Sequence, residues 1–393
     1  MDLPSLRSEF PILSISTYLI SNSLGAMPRG VEASLHEYAT TWATRGVRAW
    51  AERWWTMARE VGDAVAPLIG APAGSVSMHE NVTAAHMAVL STLPPPAARD
   101  TIVCSAADFP SMIYLFRAQE ALGYRLVVIP ANDDGSADPA RVAAAIDDRT
   151  ALVAFSHVLF RSSFILDPAP IVERARRFGA PVVLDLYQAA GIIPVDVSAL
   201  GVDFAAGGCL KWLCGGPGNA FLYTRPDRLA VVRPRFTGWA SHPQPFAFDI
   251  DDYEPPADER RMQTGTPAIP AYYAALPGLG LLGSIGIDTI RTTSLLLTRC
   301  LLSLVDQHGF RTVASRDPSR LAGTVAVDVP DARHVARTLN AHDIVVDYRP
   351  GVGIRVAPHV YNTADEIESA MAAMAEIVRT REYVPETTPT VVT

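Results

Sequence analysis

The chain has 393 residues, of which 49% are hydrophobic and 19% charged, and its formal net charge is −8 at pH 7. This composition supplies enough apolar side chains for a large buried core and excludes a mainly disordered protein. Acidic and basic residues are spread along the sequence, which disfavours a nucleic-acid-binding surface, since phosphate neutralisation requires clustered Lys and Arg.

The start of the chain and its cysteines favour a cytoplasmic protein. No basic segment followed by an apolar run opens the sequence, so no signal peptide is predicted. The four cysteines form no CxxC pair, so neither a metal site nor a disulfide framework is predicted. The longest uncharged run, 263–287, contains three prolines, which suit a loop entering a buried helix better than a membrane span.

Short apolar runs alternate with helical patterns through the first two-thirds of the chain. Helices at 138–147 and 167–178 each begin with Asp-Pro, which suits the N-cap and N1 positions. Strands that are apolar throughout and separated by helices predict a mainly parallel sheet covered by helices on both faces. Ligands of such sheets bind beyond the carboxyl ends of the strands. The predicted strands are 101–105, 125–130, 151–155, 181–185, 203–206 and 220–223.

From residue 274 the pattern changes to that of a smaller α+β domain. A long apolar helix to about residue 308 is followed by an apolar run at 321–329, a helix from Asp331 and paired strands around 349–351. A capping box from Thr363 to Glu366 opens the last helix. We therefore expect an N-terminal segment (1–45), a large α/β domain (46–273) and a small domain (274–393) whose tail after Tyr383 is mobile.

Lys211 is the only lysine among the 33 basic residues. A codon bias towards Arg explains why lysines are rare but does not explain why this one is present. Arg replaces Lys in most surface ion pairs but cannot form an imine, because its guanidinium stays protonated. Lys211 is therefore a candidate for amine chemistry, and its surroundings decide the case.

Two neighbouring segments place a carboxylate and this lysine at the same edge of the predicted sheet. Asp185 ends a buried strand, where it could cap a helix, pair with an Arg or face a cationic ring nitrogen. Lys211 follows in a glycine-rich loop between two strands, where glycines permit tight turns and close approach of the backbone to a ligand. The combination is much more specific than either feature alone.

This stretch, from Asp185 through Lys211 to Gly218, resembles fold-type I pyridoxal-5′-phosphate (PLP) enzymes of the class V aminotransferase group, and within that group kynureninase. The similarity covers nearly the whole chain. The resemblance implies a seven-stranded-type sheet, an amino-acid substrate and a homodimer with a shared active site. Further matching motifs are 18–25, Phe109-Pro110, Gly238-Trp239, 245–249 and Gly265-Thr266-Pro267.

The resemblance also implies a role for each matching residue. Lys211 would hold PLP as a Schiff base and move protons at Cα, Asp185 would pair with the pyridine nitrogen, and Arg355 would bind the substrate α-carboxylate. The other implied cofactor ligands are Asn81, Val82, Thr83 and Trp239 at the phosphate, Phe109 stacked on the ring, Gln188 beside it, and Thr266 from the partner subunit. Taken alone, Asn81 would be an ordinary N-cap, and Phe109 and Trp239 core residues.

Three positions depart from kynureninase. Leu210 stands where that family has a Tyr that holds the phosphate and helps proton transfer at Cβ, Gln188 stands in place of a His, and Met112 in place of an Asp. Hydrolytic C–C cleavage needs an acid that protonates Cβ, whereas β-elimination of a thiolate needs only removal of the Cα proton. The sequence therefore favours a C–S β-lyase acting on an S-substituted cysteine.

Other functions stay open: kynurenine-type hydrolysis, aminotransfer, decarboxylating oxidative deamination of the same substrate type, and a PLP-fold binding partner without catalysis. A cysteine desulfurase would need a nucleophilic Cys on a mobile loop, but Cys300 lies in a predicted buried helix. Nothing indicates that Cys209 or Cys214 is reactive. A cluster of Trp and Arg side chains between residues 42 and 55 could line a substrate entrance or pack at a subunit contact.

Overall fold

The computed structural model describes residues 2–251 and 253–387. Its centre is a seven-stranded sheet with the strand order β2-β8-β7-β6-β5-β3-β4. Strand β8 is antiparallel to both of its neighbours, and the other pairings are parallel, so the predicted mainly parallel sheet is confirmed. Its strands are β2 (Val76–His79), β3 (Thr101–Ser105), β4 (Arg125–Ile129), β5 (Thr150–Ser156), β6 (Val182–Asp185), β7 (Phe204–Gly208) and β8 (Ala220–Thr224).

Alternate residues of one strand enter two separate hydrophobic clusters, one on each face of the sheet. In β6, Val182 and Leu184 belong to one cluster and Val183 belongs to the other. Both faces exclude water, which explains why β6 is apolar up to its last residue, Asp185. The helices of this part of the chain are α2 (Gly30–Arg45), α3 (Trp55–Val65), α4 (Val82–Ser91), α5 (Pro110–Ala118), α6 (Pro139–Ala144), α7 (Ala169–Phe178), α8 (Val197–Leu200), α9 (Pro226–Leu229) and α10 (Ile269–Ile285).

A third hydrophobic cluster lies in the C-terminal part of the chain, around an antiparallel sheet of order β11-β12-β9. The N-terminal segment joins this part. Strand β1 (Thr17–Tyr18) pairs in parallel with β10 (Ile344–Val345), and Arg7 of α1 (Leu3–Ser8) forms an ion pair with Glu366. The other elements are α11 (Ile287–Gln307), β9 (Val325–Val327), α12 (Ala332–Ala341), β11 (Asp347–Arg349), β12 (Gly353–Val356) and α13 (Ala364–Thr380).

The C-terminal half differs from the sequence expectation in one main respect. The single long helix predicted to about residue 308 is two helices, α10 and α11, which meet at 83° around Gly286. No single helix among the described residues is long and apolar enough to span a membrane; this bent pair would pass by length and composition alone. The capping box of Thr363 and Glu366 is confirmed at the start of α13. Of the expected mobile tail, residues 388–393 lie outside the described part of the chain.

Two local differences have simple causes. Strand β2 escapes prediction because it is only four residues long and includes two polar side chains, Ser77 and His79. Helix α6 begins at Asp138-Pro139 as predicted, but α7 begins one residue later, with Pro168 at the N-cap and the Asp167 carboxylate accepting the N–H of Ala169.

Candidate functional site

Lys211 lies just beyond the carboxyl end of β7, in the loop that leads to β8. Its Nζ atom is 4.6 Å from the ring centroid of Tyr187 and 5.8 Å from that of Phe109. Burial and, next in strength, the positive charge of Arg355 lower the pKa of the Lys211 amine to about 7. A substantial fraction of the amine is therefore neutral, and nucleophilic, near physiological pH.

Asp185 is the last residue of β6, the strand next to β7. Its side chain is buried and its Oδ1 accepts the backbone N–H of Tyr187 at 2.7 Å. Burial raises the pKa of this carboxyl group, while the nearby His86 and Lys211 and the Tyr187 hydrogen bond oppose the rise. Because burial disfavours the charged form of the Asp185 carboxylate, a cationic partner would stabilise it.

Two buried residues close to Asp185 were not predicted from the sequence. The Nδ1 atom of His86 lies 2.9 Å from the carbonyl oxygen of Val82, and its Nε2 atom is buried with no hydrogen-bond partner. The carboxylate of Asp108 accepts the backbone N–H groups of Ser105 and Ser156, yet burial raises its pKa to about 7. His86 lies in a mostly apolar stretch without a motif, and Asp108 directly precedes the Phe109-Pro110 motif but is not part of it.

Asn81, Val82 and Thr83 form the N-terminus of α4, as expected. The Asn81 side chain accepts the N–H of Ala84 and so caps the helix, which leaves other backbone N–H groups of the first turn to bind an anion. Asn81 also lines a cavity of about 160 Å³ together with Leu210 and Tyr187. The structure therefore brings the predicted phosphate end of the site together with the lysine loop.

Arg355 is buried in β12 and its guanidinium is held on several sides. The neighbouring strand places Asp347 directly opposite, and the two side chains form a bidentate ion pair. Nη1 donates to the carbonyl of Phe160 at 2.9 Å, and Nη2 donates to Ser23 at 3.0 Å. The sequence singled out Arg355 but not Asp347, because the pairing depends on the strand register.

Gln188 is buried and forms hydrogen bonds to two separate segments of the site. Its Nε2 donates to the carbonyl of Asn22, and its Oε1 accepts the indole N–H of Trp212, both at 2.9 Å. These bonds join the N-terminal segment to the lysine loop. The side chain of Asn22 is buried with neither its oxygen nor its nitrogen hydrogen-bonded.

Two predicted cofactor ligands are not part of this group. Trp239 packs against Trp55, Phe246 and Phe248, and its indole N–H donates to the carbonyl of Pro245 at 2.6 Å. Thr266 is exposed on the loop before α10. The contact of Trp239 with the phosphate and the contribution of Thr266 to a partner's site stay predictions.

The cysteines and the glycines of the lysine loop have structural explanations. Burial raises the pKa of both Cys209 and Cys214 to about 12, so these thiols stay protonated. Cys300 is half-buried, not fully buried as predicted, and lies in a helix, α11. A Cβ on Gly207 or Gly208 would overlap Phe221 or Tyr187 respectively, so these glycines admit protein aromatic rings.

The residues around Lys211 fit PLP. The amine lies close to two aromatic rings, which suit a flat ring bound to it. A buried carboxylate at the end of β6 suits a cationic pyridine nitrogen, and the first turn of α4 suits a phosphate. The buried side chain of Asn22 and the Nε2 of His86 lack partners, as expected where a polar ligand completes a site.

Comparisons with known proteins agree with this geometry. The chain is 29% identical to a kynureninase of Bacillus thuringiensis subsp. konkukian (strain 97-27), covering 97% of this chain and 93% of that one. It is 31% identical to the uncharacterized aminotransferase YcbU of Bacillus subtilis (strain 168), covering 94% and 96% respectively.

Solved structures show the same fold. A cysteine desulfurase from Thermococcus onnurineus NA1 superposes with a TM-score of 0.85 at 23% identity, covering 97% of this chain and 99% of that one. The cystine C-S lyase C-DES, in complex with its product cysteine persulfide, superposes with a TM-score of 0.84 at 23% identity, covering 96% and 100%. The family model for aminotransferase class V matches residues 17–379. The chain therefore belongs to the aminotransferase class-V family of PLP-dependent enzymes.

Proposed function

We propose that the protein is a PLP-dependent β-lyase that releases a thiol from an S-substituted L-cysteine, with Lys211 carrying the cofactor. The observation that supports this most strongly is the pairing of Lys211 with Leu210. Lys211 has a pKa of about 7 and is a suitable base for a Cα proton. Leu210, which lines the same cavity as Asn81, has no hydroxyl with which to protonate Cβ.

The roles of the other residues follow from their positions. Asp185 would hold the cofactor's ring nitrogen, Phe109 would face its ring, and Gln188 would lie beside it. The first turn of α4, at Asn81, Val82 and Thr83, would hold the phosphate. Thr266 of a second copy would complete the site, in a homodimer that we expect to be cytoplasmic.

Arg355 would bind the α-carboxylate of the amino acid. Its rigid position between Asp347, Ser23 and the Phe160 carbonyl orients the guanidinium before substrate arrives. Asp347 already occupies one edge of the guanidinium, so a bidentate substrate carboxylate would take the other edge, in place of the Phe160 and Ser23 contacts. Asp347 neutralises the buried guanidinium in the absence of substrate, because an unpaired buried charge is costly.

PLP, when bound, supplies an electron sink for the pair released at Cα. Neutral Lys211 takes the Cα proton, the Cα–H electron pair forms the Cα–Cβ double bond, and the Cβ–S bond breaks with both electrons on sulfur. The leaving thiolate needs little help, because thiols ionise near pH 8.5. Hydrolysis of the remaining three-carbon fragment gives pyruvate and ammonia.

Hydrolysis of kynurenine is the second candidate function, and similarity to kynureninases favours it. That reaction breaks a C–C bond and must place a proton on Cβ. The loss of a hydroxyl at position 210 removes the donor that the kynureninase resemblance assigns to this step. We therefore rank it below β-elimination.

Product analysis separates the two reactions. The purified, PLP-loaded enzyme is incubated with S-alkyl cysteines and, separately, with kynurenine. Pyruvate and free thiol in equal amounts are expected from the cysteine conjugates, and little anthranilate from kynurenine. Alanine and anthranilate from kynurenine, without thiol release from any conjugate, would overturn the proposal, and a keto acid that retains sulfur would indicate aminotransfer instead.

Leu210→Tyr provides a matched control for the role of position 210. The variant places a phenol at the position that the kynureninase resemblance assigns to the Cβ proton donor, so kynurenine hydrolysis is expected to rise about tenfold or more. Thiol release should change much less. Equal kynurenine turnover by both proteins would show that a phenol at this position does not decide the reaction.

A further inference from the structure

Tyr187 is an aromatic side chain at the candidate site for which the family resemblance assigned no role. It lies two residues beyond Asp185, and the centroid of its ring is 4.6 Å from the Nζ atom of Lys211. This is closer to the amine than Phe109, whose ring centroid is 5.8 Å from the same atom. Phe109 packs edge-on against Phe160, with 5.2 Å between the ring centroids. Within the described part of the chain, its ring does not contact that of Tyr187.

The Lys211 amine therefore lies near two separate aromatic rings. A flat ring bonded to this nitrogen has both Phe109 and Tyr187 within reach. Aromatic rings prefer offset or edge-to-face contacts with one another, and such contacts add to the effect of burial alone. Two rings thus restrain a planar ligand better than Phe109 alone.

The backbone of β7 makes room for this ring. A Cβ on Gly208 would lie only 2.6 to 2.8 Å from three atoms of the Tyr187 phenol, closer than atoms can approach. Glycine at position 208 and tyrosine at 187 are therefore a matched pair. The hydrogen bond from the Tyr187 N–H to Asp185 holds the start of this segment against the end of β6.

We propose that Tyr187 is a cofactor-positioning residue, whose ring forms a second aromatic wall of the PLP site in addition to Phe109. The proposal rests on Lys211 as the cofactor-bearing residue. It assigns the contact to the ring and not to the hydroxyl. Removal of the ring is therefore expected to weaken cofactor binding, whereas removal of the hydroxyl alone is not.

Titration of cofactor-free protein with PLP tests this directly, together with the visible absorption spectrum of the bound cofactor. Tyr187→Leu is expected to raise the PLP dissociation constant about tenfold and to shift the absorption band. Tyr187→Phe should stay within about twofold of the wild type. Tyr114→Leu, at a tyrosine of α5 that is 71% exposed, is the matched control and should bind as the wild type does.

Gly208→Ala supplies an independent variant in case Tyr187→Leu does not fold. The added methyl group displaces the Tyr187 ring, so PLP binding should weaken. In the Tyr187→Leu background the same change should add little, because the ring that it displaces is gone. Normal PLP affinity in Tyr187→Leu and Gly208→Ala, or equal losses in Tyr187→Phe and Tyr187→Leu, would overturn the proposal.

A separate experiment tests whether Lys211 carries the cofactor, independently of the role of Tyr187. Borohydride reduction of the wild-type protein should fix the cofactor on Lys211, whatever the Tyr187 variants show. If reduction labels Lys211 but the Tyr187 variants bind normally, only the role of Tyr187 fails. If Lys211 is not labelled, the assignment on which the proposal rests fails first.

Discussion

The surroundings of Lys211 and the aromatic surface around Trp239 differ in whether their polar side-chain atoms have hydrogen-bond partners. Near Lys211, the side chain of Asn22 and the Nε2 atom of His86 are buried without partners. On the aromatic surface (Trp55, Trp239, Phe246 and Phe248), the indole N–H of Trp239 is bonded within the chain, whereas the rings are open to solvent. Phe246 and Phe248 are 57% and 70% exposed.

The difference shows what each region is suited to bind. Buried polar groups without partners cost free energy, so a site that keeps them is suited to a polar ligand that completes their hydrogen bonds. Clustered exposed rings are suited to another protein surface that removes them from water. We therefore expect the region around Lys211 to bind a small molecule and the aromatic surface to contact a second subunit.

The largest effect is expected from Lys211. Lys211→Met should lower thiol release by at least about 1,000-fold, because it removes both the amine that bonds the cofactor and the base at Cα. Lys211→Arg is the control that keeps the positive charge but cannot form an imine. If either variant retained more than a few per cent of the activity, the assigned role of Lys211 would be wrong.

Arg355 should give the second-largest effect. Arg355→Lys keeps a charge beside Asp347 but loses the bidentate fork, so KM for the amino acid should rise about 100-fold with a smaller change in kcat. Steady-state kinetics with an S-alkyl cysteine measure both constants. An unchanged KM would show that the α-carboxylate binds elsewhere.

The aromatic surface should respond more weakly and in a different property. Phe248→Ser should raise the dissociation constant of the expected homodimer about tenfold, because it removes an exposed ring from the contact. Analytical ultracentrifugation across a range of concentrations measures this constant. Leu24→Ser, at a leucine that is 43% exposed outside the cluster, is the control. Equal dissociation constants for the wild type and both variants would show that this surface is not part of the dimer interface.

The smallest effect concerns the pH dependence of stability in the cofactor-free protein. The Lys211 pKa is lowered from 10.5 to about 7 by folding, so between these pH values the unfolded chain binds more protons than the folded one. Stability should therefore rise with pH across this window. The melting temperature of the wild type should rise by a few degrees between pH 7 and 10, and that of Lys211→Met should lack this rise. The same slope in both proteins would contradict the lowered pKa.

Local chemistry allowed much of the site to be predicted from sequence. Lys211 is identifiable because no other lysine is present, and Asp185 because a charge ending an apolar strand requires a partner. The strands were predictable because both of their faces are buried. The parallel sheet itself then brings Asp185 and Lys211 to the same edge.

The remaining features depend on contacts between distant parts of the chain. Asp347 opposes Arg355 only because of the register of β11 and β12. The position of the Tyr187 ring depends on the missing Cβ of Gly208 on a neighbouring strand. The break at Gly286 separates the mostly apolar α10 from the amphipathic α11, and apolar residues continue across it, so the pattern alone does not reveal it.

The most direct test of the central claim is to locate the cofactor. The yellow, PLP-loaded enzyme is reduced with borohydride and digested, and the modified peptide is sequenced by mass spectrometry. We predict that the label is on Lys211, and that Lys211→Arg carries none. A label confined to the N-terminal amine, or a colour that persists in Lys211→Arg, would contradict the account.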